Sequence, residues 1–176
     1  MPEKTALLVI DMQNDYLKDG RKPMFSYDTD ALTANVNRAI RSYQKQGADI
    51  IYIAQVFQNL PTNRLLIGFT IKGTEGAALY DDMARVSELY FEKYFSDAYT
   101  CAAFRQHMQK EGYTKVVLCG LDECGCVGAT AKGAAKNGVQ VIMLEDCIGR
   151  RFPDAKVQKM RKKLKTYGVV YQTLAE

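Results

Sequence analysis

Apolar and polar positions fall in blocks along this chain. Six short runs are almost wholly apolar: Thr5–Ile10, Asp49–Val56, Leu89–Glu92 (ending at Lys93), Lys115–Cys119, Val139–Leu144 and Val169–Tyr171. Runs of that length without a polar face suit strands buried on both sides, as in a parallel sheet. Between them lie stretches with apolar residues three or four apart. Asp28–Gln46 places Leu32, Val36, Ala39, Ile40 and Tyr43 on one stripe, with Asp28 or Asp30 to cap it and Gly47 to stop it. Tyr99–Glu111, the segment from Gly125 to Asn137-Gly138, and Pro153–Tyr167 read as further helices, and Gly76–Val86 as a short one. Phe57–Glu75, with Pro61, Gly68 and Gly73, shows neither period, and a connection of that length reads as a wall or lid of a binding site. Strands alternating with helices predict an α/β fold: a doubly wound, mainly parallel six-stranded sheet with helices on both faces, in one domain spanning residues 1–176.

Composition narrows the class of protein without choosing its chemistry. A chain 47% hydrophobic and 25% charged is ordinarily globular, and a net charge of +4 names no partner. The most basic stretch, Lys156–Lys165, has no aromatic platform beside it and reads as a solvated helix face, so no nucleic acid is expected. No apolar run approaches the ~18 residues of a membrane span and no signal-peptide pattern opens the chain, so the expectation is a cytoplasmic protein without a membrane partner. Five cysteines beside a single histidine point to free thiols rather than a disulfide framework and leave little for a zinc site. Gly120 and Gly125 have P-loop spacing, but Cys126 and Val127 stand where that loop needs Lys and Ser or Thr; Gly120, Gly125 and Gly128 miss the dinucleotide spacing. Neither metal nor cofactor is expected.

The chemistry gathers at strand ends. Val116–Ala131 reads as a strand, a glycine turn at Gly120 and a helix start, an arrangement that aims backbone N–H groups at negative charge. The residue at that helix start is Cys126. Asp11 ends the first predicted strand and Lys93 the third. Ligands of open parallel sheets bind at the carboxyl ends of the strands, so an acid, a cation and a thiol share one edge. A thiolate can attack, a carboxylate can relay its proton and an ammonium can stabilise negative charge. His107, in mid-helix, lies away from that edge. Each residue also has a plainer role open to it: Cys126 as small packing, Asp11 as a turn residue, Lys93 as a solvated side chain.

Four segments, in order over nearly the whole chain, resemble the isochorismatase-like cysteine hydrolases, the group related to nicotinamidase and N-carbamoylsarcosine amidohydrolase. They are Leu7–Tyr16, Gly73–Ala77, Glu92–Tyr99 and Cys126–Ala131. The resemblance implies an Asp11–Lys93–Cys126 triad, a cis peptide between Leu121 and Asp122, and an oxyanion hole from the N–H groups of Asp122 and Cys126. It also implies a small-molecule substrate and a homo-oligomer. The leading reading is hydrolysis of a small amide or related C–N bond through a Cys126 thioester. The alternatives are a vinyl-ether hydrolase and a non-catalytic binding protein on the same fold. Gln13, Tyr16, Phe57, Leu60, Phe69, Tyr94 and Tyr99 are the candidates for a substrate pocket.

The chain departs from the family pattern in two places. Gln55–Pro61 lacks the histidines of the nicotinamidase metal site, and Asp122-Glu123-Cys124 replaces a small residue, a threonine and an acid. The second change admits Cys124 as a rival nucleophile. With Asp122 and Glu123 turned to solvent, Cys126 is expected to be partly ionised near neutral pH.

Overall fold

The computed structural model describes residues 3–175. In chain order the elements are β1 (Thr5–Ile10), α1 (Asn14–Leu17), α2 (Thr29–Lys45), β2 (Asp49–Gln55), α3 (Pro61–Leu66), β3 (Tyr90–Lys93), α4 (Ala102–Glu111), β4 (Lys115–Gly120), α5 (Cys126–Lys136), β5 (Gln140–Ile148), α6 (Asp154–Lys165) and β6 (Val170–Gln172), with 3-10 turns at Glu75–Ala77 and Ala98–Thr100. The strands form one sheet in the order β3-β2-β1-β4-β5-β6, and every pairing is parallel. The chain winds outward from β1 to β3, returns to lay β4 beside β1, then winds outward the other way. The reversal falls between β1 and β4, and a crevice opens at their carboxyl ends.

The core explains why the strand runs lack a polar face. Leu7 and Val9 of β1 point into one layer with Val36, Ala39 and Ile40 of α2. Ala6, Leu8 and Ile10 point the other way, into a layer with Phe104 and Met108 of α4 and Val127 and Ala131 of α5. Both layers are closed to solvent, so each Leu or Ile side chain contributes roughly 1.5–3 kcal/mol of burial. Helix α2 starts where the sequence indicates: Asp28 accepts the Ala31 N–H at 3.2 Å. Among the described residues no helix is long and apolar enough to cross a membrane.

Elsewhere the fold departs from the pattern. Gly76–Val86 is not a helix beyond the single 3-10 turn. Its backbone is satisfied by side chains instead: Asn37 accepts the Ala84 N–H and donates to the Asp82 carbonyl, and the Tyr52 hydroxyl donates to the Ala84 carbonyl. Phe57–Glu75 is not structureless, because α3 forms with Pro61 in its first turn. None of its residues is buried, so no apolar stripe announces it. Strand β5 runs on to Ile148 rather than ending at Leu144, with a register shift against β4 between Leu118 and Gly120.

Candidate active site

The carboxyl edge of the sheet brings four side chains together from four elements. Asp11 leaves β1 with φ at 53°, a conformation that Asp tolerates better than most residues, and its N–H is held by the Ile53 carbonyl at 2.8 Å. Lys93 ends β3 with its side chain fully buried and donates to Asp11 Oδ2 at 3.1 Å and to Gln55 Oε1 at 2.8 Å. Gln55 ends β2, and its own amide is oriented by donation to the Tyr94 carbonyl. Beneath it, Gln13 accepts the Gln55 N–H and donates to the Gln55 and Ala77 carbonyls, all within 2.9 Å. Asp11 Oδ1 is buried and accepts no hydrogen bond among the described residues. Burial lowers the Lys93 pKa, but Asp11 and Cys126 more than offset it; the net direction is up, and the residue is a cation at neutral pH.

Cys126 opens α5, and its Sγ stands 3.9 Å from Gln55 Oε1. The turn that leads to it needs Gly120, where φ is 107° and a Cβ would collide with the Ile10 carbonyl. The Leu121–Asp122 peptide is cis. The N–H groups of Leu121, Glu123, Cys124, Gly125 and Val127 all donate to protein acceptors. Those of Asp122 and Cys126 donate to none among the described residues, which leaves two free donors beside the thiol.

Two expectations about this loop are corrected. Asp122 and Glu123 do not turn to solvent. Asp122 Oδ2 accepts from the Tyr27 hydroxyl at 3.2 Å and the Arg151 N–H at 3.0 Å, and Oδ1 accepts from the Cys124 N–H at 3.0 Å; burial pushes its carboxyl above the usual range. Glu123 is fully buried against Arg161. Nor is Cys126 partly ionised. Burial pushes its thiol up to about 12, Asp11 adds to the rise, and Lys93 opposes without cancelling it. The resting side chain is a neutral thiol. The Cys124 thiol is also raised, by burial first and then by Asp122 and Glu123, and Cys124 does not line the cavity in front of Cys126.

That cavity measures about 200 Å³. Asp11, Gln55 and Cys126 face it at one end, and Tyr16, Phe25, Phe57 and Phe69 form an aromatic wall in edge-on contact, with ring centroids 4.7–6.0 Å apart. Tyr27, Asp122 and Arg151 complete the rim. The Arg151 guanidinium lies 4.4 Å from the Phe152 ring and 5.8 Å from Phe25, with no carboxylate in ion-pair range among the described residues. The loop that carries Phe25 and Tyr27 is gathered by Arg21, which donates to the carbonyls of Leu17, Lys18, Phe25 and Tyr27.

Of the candidate pocket residues, Tyr16, Phe57 and Phe69 line this cavity. Gln13 does not, since it is buried beneath Gln55. Leu60 and Tyr94 are about half exposed, Tyr94 standing behind Phe57 with ring centroids 5.5 Å apart. Tyr99 packs on Phe104 in the layer on the far face of the sheet. Sequence reasoning missed Gln55, Phe25, Tyr27 and Arg151. A polar residue ending the apolar run Ile50–Ala54 was a signal for Gln55; the other three come from loops that no local pattern ties to the site. His107 packs against Phe91 and Tyr113, and among the described residues no three His, Cys, Asp or Glu side chains are grouped to hold a metal ion.

A family model described as the isochorismatase domain matches residues 5–176. The chain is 25% identical over 143 residues to the uncharacterized isochorismatase family protein YddQ of Bacillus subtilis, covering 81% of this chain and 76% of that protein. It is 26% identical, over an alignment of 190 residues, to a probable inactive nicotinamidase of Arabidopsis thaliana, covering 98% and 93% respectively. Among solved structures, N-carbamoylsarcosine amidase from Thermoplasma acidophilum matches with a TM-score of 0.81 at 22% identity over 98% of each chain, a likeness of fold.

Proposed function

Since this chain belongs to the isochorismatase family, we propose that it is a cysteine hydrolase that cleaves a small amide or related C–N bond through a thioester on Cys126. One observation carries the reading. The buried Lys93 ammonium occupies Asp11 Oδ2 and Gln55 Oε1, and Asp11 Oδ1 accepts no hydrogen bond among the described residues, while Asp11 and Cys126 line the same cavity. A carboxylate oxygen kept bare in a buried site is costly unless something else takes it up. A thiol proton would.

Because burial pushes the thiol up to about 12, it is held protonated at pH 7, so proton transfer accompanies attack instead of preceding it. Cys126 Sγ bonds to the substrate carbonyl carbon as its proton passes to Asp11 Oδ1. The carbonyl oxygen takes the displaced electron pair and lies between the free N–H groups of Asp122 and Cys126. When the tetrahedral species collapses, the C–N bond breaks and the leaving nitrogen takes the proton from Asp11. Water then attacks the thioester, giving one proton to Asp11, which returns it to the sulfur as the acid departs. Lys93 stays charged throughout and holds Asp11 in one orientation. Arg151, without an ion-pair partner among the described residues, suits an anionic end of the substrate. A cavity of about 200 Å³ limits that substrate to a small molecule.

The test is to supply a panel of small amides, with and without a carboxylate, and follow ammonia or amine release. A slow substrate quenched with acid should add its acyl mass to the peptide that carries Cys126. Cys124→Ala should retain that adduct and Cys126→Ala should lose it. Turnover that survives Cys126→Ala, with no adduct under any quench, would sink the thioester and favour vinyl-ether hydrolysis.

A further inference from the structure

Glu123 is a buried titratable group that the chemistry above leaves unused. Both of its carboxylate oxygens accept from Arg161 of α6, from Nε at 2.6 Å and from Nη2 at 3.2 Å. A two-pronged bond of this kind fixes angle as well as distance. Arg161 is itself anchored elsewhere. Its Nη1 donates to Glu145 of β5 at 2.9 Å, and its guanidinium lies 4.7 Å from the ring of Tyr171 in β6. The Glu123 backbone is tied as well, its N–H donating to the Gly149 carbonyl at 3.0 Å. The packing leaves no slack: at Gly128, in the first turn of α5, a Cβ would strike the Glu123 carbonyl and crowd Met160 of α6. A buried ion pair is weak evidence of stabilisation, because apolar side chains of the same volume often serve as well. The position of this one suggests another use. Glu123 sits in the loop between the two residues whose N–H groups are free, Asp122 and Cys126.

We propose that Glu123 and Arg161 form a positioning clamp, by which β5, β6 and α6 hold residues 122–126 so that the Asp122 and Cys126 N–H groups converge on the developing oxyanion. This inference rests on the reading that Cys126 attacks a carbonyl. Neither residue touches the substrate. The clamp therefore acts on the transition state more than on ground-state binding, and its loss appears in kcat rather than in KM.

Arg161→Lys keeps the charge but not the fork, Arg161→Met removes both, and Glu123→Gln/Arg161→Met removes the buried carboxylate together with its partner should the single variant fail to fold, leaving without that partner only Glu145 and Arg150, whose side chains reach solvent. Removing an oxyanion donor outright costs ~10²–10³ in kcat, and a donor that is only displaced should cost about 30-fold. The expected result for Arg161→Met or the double variant is a kcat loss of that order with KM within about threefold. Haloacetamide should still titrate one Cys126 per chain, and Arg161→Lys should recover part of the rate. Amide hydrogen exchange at Glu123, Gly125 and Val127 should quicken at least about tenfold while β1 and β4 stay protected. A kcat within twofold of wild type, unchanged exchange in the loop, or a rate loss matched by a loss of titratable Cys126 overturns the clamp. If turnover in the unmodified protein proves indifferent to Cys126→Ala, the hydrolase reading fails, and the exchange data alone decide whether the pair holds the loop.

Discussion

Replacing Lys93 with methionine tests the charge arrangement most directly. Methionine keeps the apolar stem but removes the ammonium, which leaves Asp11 Oδ2 with no cation while Oδ1 is already without a partner. The paired side chains are 0% and 3% exposed, so solvent cannot take over. Leaving one member of such a pair uncompensated costs about 3–5 kcal/mol. Against a total of roughly 5–15 kcal/mol for a typical protein, that is a large fraction, and at ~2–4 °C per kcal/mol it lowers Tm by about 6–20 °C. Asp11→Asn removes the other charge. The double variant buries neither, and should be more stable than the sum of the singles predicts by at least ~2 kcal/mol. The pH dependence follows from Lys93, whose pKa is raised in the folded state. Its contribution is fully present below the ordinary lysine value of ~10.4 and is lost as pH climbs through the higher folded value. Urea unfolding of the four proteins at pH 7, with a series continued above pH 10, measures all of this. Lys93→Met within 1 kcal/mol of wild type at pH 7, or singles that simply add, would refute the reasoning.

Further expectations follow from the site. Because the Cys126 thiol is pushed up to about 12, its alkylation by haloacetamide in the absence of substrate should climb about tenfold per pH unit from 7 to 11; a plateau by pH 8 would show that the helix N-terminus and Lys93 outweigh burial. Arg151→Met should raise KM for a carboxylate-bearing amide by about 10–100-fold and leave that of a neutral amide nearly unchanged, as expected for loss of a charge-assisted contact of ~1.5–3 kcal/mol; equal effects on both substrates would remove Arg151 from recognition. With no grouped metal donors among the described residues, prolonged chelation should leave turnover unchanged, and activity lost to the chelator and restored by zinc would overturn that expectation.

What the sequence disclosed and what it hid divide along physical lines. The four inner strands, β1, β2, β4 and β5, were legible because each is buried on both faces, which leaves an unbroken apolar run; the edge strands β3 and β6 are partly exposed and showed only as short apolar clusters. Asp11 and Lys93 stood out because a charge ends an apolar run, and Cys126 because a thiol opens the helix that follows one. Helix α3 was hidden because it buries nothing, and Gly76–Val86 imitated a helix while its backbone bonds went to Asn37 and Tyr52. The fates of Asp122 and Glu123 were unreadable locally. Their partners Tyr27, Arg151 and Arg161 lie 29 to 95 residues away along the chain, and only the folded sheet brings them near. The aromatic wall has the same origin, with Phe25 and Phe69 supplied by separate loops.

The strand order β3-β2-β1-β4-β5-β6 also bears on how the chain is made. Strand β1 is flanked by β2 on one side and β4 on the other, and β4 begins at Lys115, long after β1, β2 and β3 have been synthesised. If the first three strands pair before β4 is made, β1 is an open margin, its Leu7–Ile10 backbone able to template a foreign strand. Such a nascent intermediate is prone to self-association until the second half docks. Cys126 follows β4 by only a few residues, so the nucleophile and the strand that closes this margin are delivered together. A chain stalled before residue 115 carries Asp11, Gln55 and Lys93 but neither the thiol nor the protection.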